Sequence, residues 1–212
     1  MTLRILQLPL GPLHTNCYVL ACTTTNQAAV IDPAWDGRGI HLRIQQQGWT
    51  VSHILLTHTH FDHVGGLAEL KELTGAPIYV HADAVPMLER APAAAAMWGF
   101  TVDPPPPADE FLNEGTSLTV GELRADVLFT PGHAPGHVCF HLPEHHVLFD
   151  GDVLFQGSIG RTDLPGGDFD LLMTSIRDKL LTLPDETAVL SGHGQATTIG
   201  EERWHNPFIV GG

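Results

Sequence analysis

The stretch Thr57-His58-Thr59-His60-Phe61-Asp62-His63 constrains this chain more than any other, because it sets four side chains that bind divalent cations within six residues. It sits where an apolar, strand-like run, Ser52–Thr57, gives way to a helical pattern over Val64–Leu73. In an extended stretch residues two apart point to the same side, so His58 and His60 can face one point. The chain then turns, and Asp62 and His63 can face a second point. Imidazole and carboxylate are the donors that zinc and similar ions take when thiolates are lacking. Three further positions each follow an apolar run and lie beside glycine: His133 in Thr130-Pro131-Gly132-His133, Asp152 in Phe149-Asp150-Gly151-Asp152, and His193 in Leu190-Ser191-Gly192-His193-Gly194. Loops at strand ends are where a rigid scaffold aims side chains at one place.

The other histidines carry no such pattern. His53, His81, His137 and His141 lie in or beside strands and read as core or surface residues, with His137 near enough to His133 to support it. His145 and His146 read as a turn, and His14, His41 and His205 lack ligand spacing. Asp32 and Asp150 each end a strand-like run, where a carboxylate can orient a ligand imidazole through its second nitrogen.

The remaining pattern predicts strands at Leu3–Leu8, Cys17–Ala21, Ala28–Ile31, Ile78–Val80, Ser117–Val120, Leu123–Phe129, Val138–Leu142, Val147–Phe149 and Ala188–Leu190. Helices are expected over Gly39–Gln47, Ala82–Phe100 and Leu171–Leu181, with Pro104–Pro107 as an extended connection between two halves. Strands with helices at the ends of each half suggest two packed sheets with helices on their outer faces. A chain of 212 residues is the size of one domain, expected here over residues 1–212. The net charge of −14, with only ten scattered Lys and Arg, argues against a nucleic-acid partner. Cys17, Cys22 and Cys139 form no Cys-x-x-Cys pair, which fits a reducing cytoplasm. The first residues are too short and too broken by Pro9 and Pro12 for an export signal, and no run approaches the roughly 20 apolar residues of a membrane span.

In this order, His-x-His-x-Asp-His, Gly-His, Gly-Asp and Gly-His resemble the metallo-β-lactamase superfamily along essentially the whole chain. The resemblance implies a four-layer αββα sandwich. It also implies two divalent metal ions: one on His58, His60 and His133, a second on Asp62, His63 and His193, with Asp152 bridging. Zinc suits such a set best, and iron or manganese can also be held. Two ions sharing one water lower its pKa from about 15.7 to near 7, which provides a nucleophile for hydrolysis without a protein nucleophile. Asp62 would both ligate and accept a hydrogen bond from that water.

The stretches Gly151–Phe155 and Gly160–Asp168 and the ending Asn206-Pro207-Phe208 resemble short bacterial relatives of hydroxyacylglutathione hydrolase, glyoxalase II. That resemblance implies a small-molecule thioester substrate such as S-lactoylglutathione, with Arg161 as a binder of a substrate carboxylate. Three departures bear on the thiol: no C-terminal helical domain is expected, Arg161-Thr162-Asp163 stands where glyoxalase II has Lys-x-Tyr, and the Gly194-Gln195 neighbourhood replaces the tyrosine expected shortly after the last histidine. An ion pair of Arg161 with Asp163 or Asp168 is the structural alternative. The alternative activity is that of the persulfide dioxygenases, which share the fold and a Gly-Arg-Thr-Asp stretch; their one iron would sit on His58, His133 and Asp152. The motif Ser191-Gly192-His193-Gly194 favours the hydrolase.

Overall fold

The architecture follows from strands that bury both faces. In the computed structural model, which describes residues 2–211, β1 (Leu3–Leu10), β2 (Thr15–Cys22), β3 (Gln27–Ile31), β4 (Thr50–Leu55), β5 (Ile78–His81) and β6 (Glu110–Leu112) form one sheet in that order. Met1 and Gly212, the ends of the expected domain, lie outside the described residues. The second sheet runs β14 (Thr197–Thr198), β13 (Ala188–Ser191), β10 (Val147–Gly151), β9 (Val138–Leu142), β8 (Leu123–Phe129), β7 (Ser117–Val120). A hairpin of β11 (Leu154–Phe155) and β12 (Ser158–Ile159) follows β10.

Because strand side chains alternate, β2 sends Tyr18, Leu20 and Cys22 into the space between the sheets and Cys17, Val19 and Ala21 to the opposite face. The inter-sheet core also takes Ala29 and Ile31 from β3, and Phe140, Val147 and Phe149 from the second sheet. On the outer face of the first sheet, Val19, Val30 and Ile54 pack against Ile40 and Ile44 of α1 (Gly37–Gln46) and Leu67 and Leu70. The latter pair belongs to α3 (Leu67–Thr74), which follows α2 (Phe61–Val64) in the chain. On the outer face of the second sheet, Cys139, Leu148 and Val189 pack against Leu172, Met173, Ile176 and Leu180. The layers are therefore helix, sheet, sheet, helix, the αββα sandwich that the sequence implied. Among the described residues no helix is long and apolar enough to cross a membrane.

Local chemistry accounts for the departures. The helix expected over Ala82–Phe100 is instead a 3₁₀ turn followed by α4 (Val85–Glu89) and α5 (Ala91–Met97), each with proline in its first turn. Proline is tolerated there but blocks continuation of the helix before it. The pattern over Val64–Leu73 divides at Gly65 and Gly66, whose missing side chains let Ala34 and Trp35 approach. Pro104–Pro107 does not pass directly to the second half: the first sheet takes one more strand, β6, after it. The last helical pattern is α6 (Phe169–Ser175) continued by a π-helical turn, Ile176–Leu180. Beyond β14, α7 (Ile199–His205) and α8 (Pro207–Val210) were not anticipated.

Strand direction positions the site. β3 pairs parallel with β4, so the residues after both, from Asp32 and from Leu56 to His63, emerge at one edge. β8 and β10 are both antiparallel to β9, and β10 is parallel to β13, so all three end at one edge of the second sheet and deliver His133, Asp152 and His193 there. A bulge between Phe149 and Gly151, with Gly151 at φ 53°, re-aims the chain just before Asp152.

Candidate metal centre

His58 and His60 lie in the irregular stretch after β4, two residues apart, and their rings converge with His133. His58 Nε2 and His133 Nε2 stand 3.1 and 3.0 Å from His60 Nδ1. Asp62 and His63 open α2 and meet His193: His193 Nε2 is 3.2 Å and His63 Nε2 3.7 Å from Asp62 Oδ2. Asp152 lies between the two groups. Its Oδ1 is 3.5 Å from His63 Nε2, and its Oδ2 is 3.6 Å from both His133 Nε2 and His193 Nε2. All seven motif residues are thus brought together, and the donor atoms of His58, His60 and His133, like those of Asp62, His63 and His193, lie within 4.8 Å of one another.

These groups fit metal ions. Three ring nitrogens about one point have at most a shared proton between any pair, whereas a cation at the centre engages all three lone pairs. His63 Nε2 and Asp152 Oδ1 are buried and face each other without a hydrogen-bond partner. Gly192 leaves the space, since a β-carbon there would run into Asp152 Oδ1 and His63. Gly160 does the same on the other side, against the Asp152 carbonyl and His133. His60 and His193 are only half-buried, so the groups open to solvent on their side.

A layer of partners fixes which nitrogen His63 and His133 present. Asp32 Oδ2 accepts from His63 Nδ1 at 3.0 Å, and the Arg161 carbonyl accepts from His133 Nδ1 at 2.7 Å, leaving both Nε2 atoms free. Asp32 together with His58 and His63 forms a third cluster, but its oxygens already accept from Thr57 N and Thr57 Oγ1 at 2.7 and 2.6 Å. Thr15 Oγ1 donates to Asp62 Oδ2 at 2.9 Å. Asn16 Nδ2 and Tyr18 OH donate to the Ser191 carbonyl, so β2 of the first sheet holds the His193 loop of the second.

Asp32 orients a motif imidazole, as its place after a strand suggested, but Asp150 does not: its Oδ2 accepts from Leu154 N at 2.8 Å. His137 serves Asp152 and not His133. Its Nε2 accepts from the Asp152 amide at 3.2 Å, its Nδ1 meets Thr130 Oγ1 at 3.0 Å, and its ring stacks on His58 with centroids 4.9 Å apart. Arg161 reaches the site through its carbonyl; its half-exposed guanidinium pairs with both carboxylate oxygens of Asp163 at 2.7 Å. Thr15, Asn16, Tyr18 and Thr57 escaped the sequence reading, because hydroxyl and amide residues in or just after strands carry no ligand spacing.

The electrostatics divide the two groups. Burial, then repulsion from His133, brings His60 down to about 4, and burial, then His63, holds His58 well below the usual imidazole range. At His63 burial acts downward, but the carboxylates of Asp152 and Asp62 outweigh it and hold the ring well above that range. Burial would raise Asp62 and Asp152, yet the facing histidines, His63 foremost, bring Asp62 to about 2 and hold Asp152 well below the usual carboxylate range.

The family model described as the metallo-beta-lactamase superfamily matches residues 10–193. The hydroxyacylglutathione hydrolase GloC of Haemophilus influenzae is 40% identical over 204 residues, 95% of this chain and 96% of that protein. The crystal structure of BLEG-1, a B3 metallo-beta-lactamase, superposes with a TM-score of 0.90 at 42% identity, covering 97% of this chain and 99% of that one. The crystal structure of TTHA1623 in a di-iron-bound form gives 0.87 at 42% identity, covering 96% and 99%.

Two predictions follow from the geometry and charge of this centre. A cation must displace any proton held by its ligand, at about tenfold in affinity per pH unit per proton. His63 is held well above the usual imidazole range, whereas His60 takes a proton only near 4, so dialysis from pH 7 to 5 should empty the Asp62–His63–His193 group first. Ion content measured at each pH checks the order; simultaneous loss would refute the asymmetry. His137→Ala removes the acceptor of the buried Asp152 amide, at a cost of about 1–3 kcal/mol before any cavity term. Urea unfolding measures it, and an unchanged unfolding free energy would mean that water replaces the imidazole.

Proposed function

This chain belongs to the metallo-beta-lactamase superfamily and is a hydrolase with two clusters able to hold metal, and from that premise we propose that it cleaves a small acyl thioester. S-lactoylglutathione or a related 2-hydroxyacyl thioester is the substrate class, and residues 1–212 act as one metallo-β-lactamase-like domain. The observation that carries the reading is 40% identity, over 95% of the chain, to a protein named for hydroxyacylglutathione hydrolysis. His58, His60 and His133 would hold one divalent ion and Asp62, His63 and His193 the other, with Asp152, which faces histidines of both groups, shared between them. Zinc or iron satisfies this donor set, and the di-iron form of TTHA1623 supports iron as the second choice.

When bound, such a pair of ions makes water nucleophilic at neutral pH and polarises a carbonyl. The chain's own residues do the rest. Asp62, ionised and steadied by Thr15 Oγ1, accepts a hydrogen bond from the attacking water and orients it. Asp152 keeps the two histidine groups at a fixed separation, its amide anchored on His137. No general acid is required, because a thiolate with a pKa of about 8.5 departs unassisted. Arg161 binds a carboxylate on the thiol part: its pair with Asp163 is solvent-exposed, and exposed pairs contribute little, so a substrate anion exchanges with Asp163 at little cost.

A mononuclear iron dioxygenase using His58, His133 and Asp152 leaves the convergence of Asp62, His63 and His193 without a purpose. β-Lactam hydrolysis is the second reading, supported by the likeness to BLEG-1.

The purified protein should carry two transition-metal ions and release free thiol from S-lactoylglutathione. Asp152→Ala should lower the rate on the order of 100-fold or more, beyond the 10–100-fold typical of changes outside the ligand set. Oxygen uptake with glutathione persulfide, or cleavage of a β-lactam, without thioester turnover would overturn the proposal. Arg161→Ala should raise KM several-fold with kcat nearly unchanged, since it removes binding common to substrate and transition state. The converse pattern in steady-state kinetics would remove Arg161 from the substrate site.

A further inference from the structure

Thr57 stands between the two metal groups and touches the supporting atoms of both. Its amide donates to Asp32 Oδ1 at 2.7 Å and its hydroxyl to Asp32 Oδ2 at 2.6 Å. The same hydroxyl oxygen lies 3.1 Å from His58 Nδ1, and Asp32 Oδ2 accepts in turn from His63 Nδ1 at 3.0 Å. Thr57 and Asp32 are almost fully buried, at 1% and 2% exposure, so no bulk solvent mediates these contacts.

The direction of each bond follows from the inventory of protons. A carboxylate has none to give, so the single hydroxyl hydrogen of Thr57 goes to Asp32. Toward His58 the hydroxyl has only a lone pair left, which obliges His58 Nδ1 to carry hydrogen and leaves Nε2 for a cation. Asp32, as a pure acceptor, obliges His63 Nδ1 to carry hydrogen in the same way and leaves its Nε2. His58 Nε2 belongs to the His60–His133 group and His63 Nε2 to the Asp62–Asp152–His193 group. The arrangement leaves little room to rebuild these bonds another way, because the backbone of Gly151 packs against Thr57 Oγ1 so closely that even a β-carbon would collide.

We propose that Thr57 is a positioning residue for both metal groups, its one hydroxyl setting the ligating nitrogen of His58 and holding in place the Asp32 carboxylate that sets that of His63. This rests on the binuclear reading of the site. Removing the hydroxyl leaves the His58 Nδ1–H without an acceptor and deprives Asp32 Oδ2 of one of two donors. His58 then samples the wrong tautomer, His63 loses orientation as the Asp32 carboxylate loosens, and both groups weaken together.

Chelator-stripped wild type, Thr57→Val and Thr57→Ser are titrated with zinc ions alone, and native mass spectrometry counts ions per chain. Wild type and Thr57→Ser, which keeps the hydroxyl, should both fill to two ions. Thr57→Val, nearly isosteric but without the hydroxyl, should lose about 10–100-fold in affinity at each of the two steps, the range typical of partners behind a ligand. If Thr57→Val does not fold by circular dichroism, Thr57→Ala carries the same expectation. Loading of the hydroxyl-free variant equal to wild type, weakening of one step only, or failure of Thr57→Ser to match wild type would overturn the assignment. A wild-type chain that takes up a single ion would instead overturn the binuclear reading and this inference with it, so the two failures are told apart by the wild-type stoichiometry.

Discussion

The structure depends on one constraint of direction: strands from two different sheets must end at a common edge. In the first sheet parallel pairing of β3 and β4 puts Asp32 and the His58–His63 segment side by side. In the second, β8, β10 and β13 run the same way and release His133, Asp152 and His193 together. The inter-sheet core built on Tyr18, Leu20, Phe140 and Phe149 holds the two edges in register, because a close-packed interior resists displacement. Tyr18 serves both purposes: its ring packs edge-on against Phe149, and its hydroxyl holds the Ser191 carbonyl beside the His193 loop.

Gathering so many polar groups in a buried place has an electrostatic consequence that differs across the centre. The three-histidine group contains no carboxylate of its own, and burial keeps His58 and His60 neutral. The other group places His63 against Asp62 and Asp152, where attraction to the carboxylates overrides burial. Asp152 is shared by both, with Oδ1 toward His63 and Oδ2 toward His133 and His193. This shared carboxylate is therefore where the neutral and the charged halves meet. The surrounding layer of Asp32, Thr57, Thr15, His137 and the Arg161 carbonyl leaves few of these groups to chance orientation.

Much of this was legible in the sequence for a physical reason. Ligand residues announce themselves by type and by short-range spacing: two histidines two apart in an extended stretch, and histidine or aspartate beside glycine after an apolar run. Strand alternation is equally local, so most strands of both sheets could be placed, and the order of the motifs carried the sandwich by resemblance. Short strands such as β6 and β14 were invisible, because two or three residues are too few to show a period.

What only the tertiary structure decided is which partner each of these residues faces. His137 lies four residues from His133 in the chain, yet it holds the amide of Asp152 and stacks on His58. Asp150 and Asp32 occupy similar places after strands, but only Asp32 meets an imidazole. Arg161 contributes a carbonyl to His133 and commits its guanidinium to Asp163. Asn16 and Tyr18 grip a carbonyl more than 170 positions away. Local spacing fixes which way a side chain leaves its own strand; what it meets there is set by the packing of one sheet on another, and that information resides in no short segment of the chain.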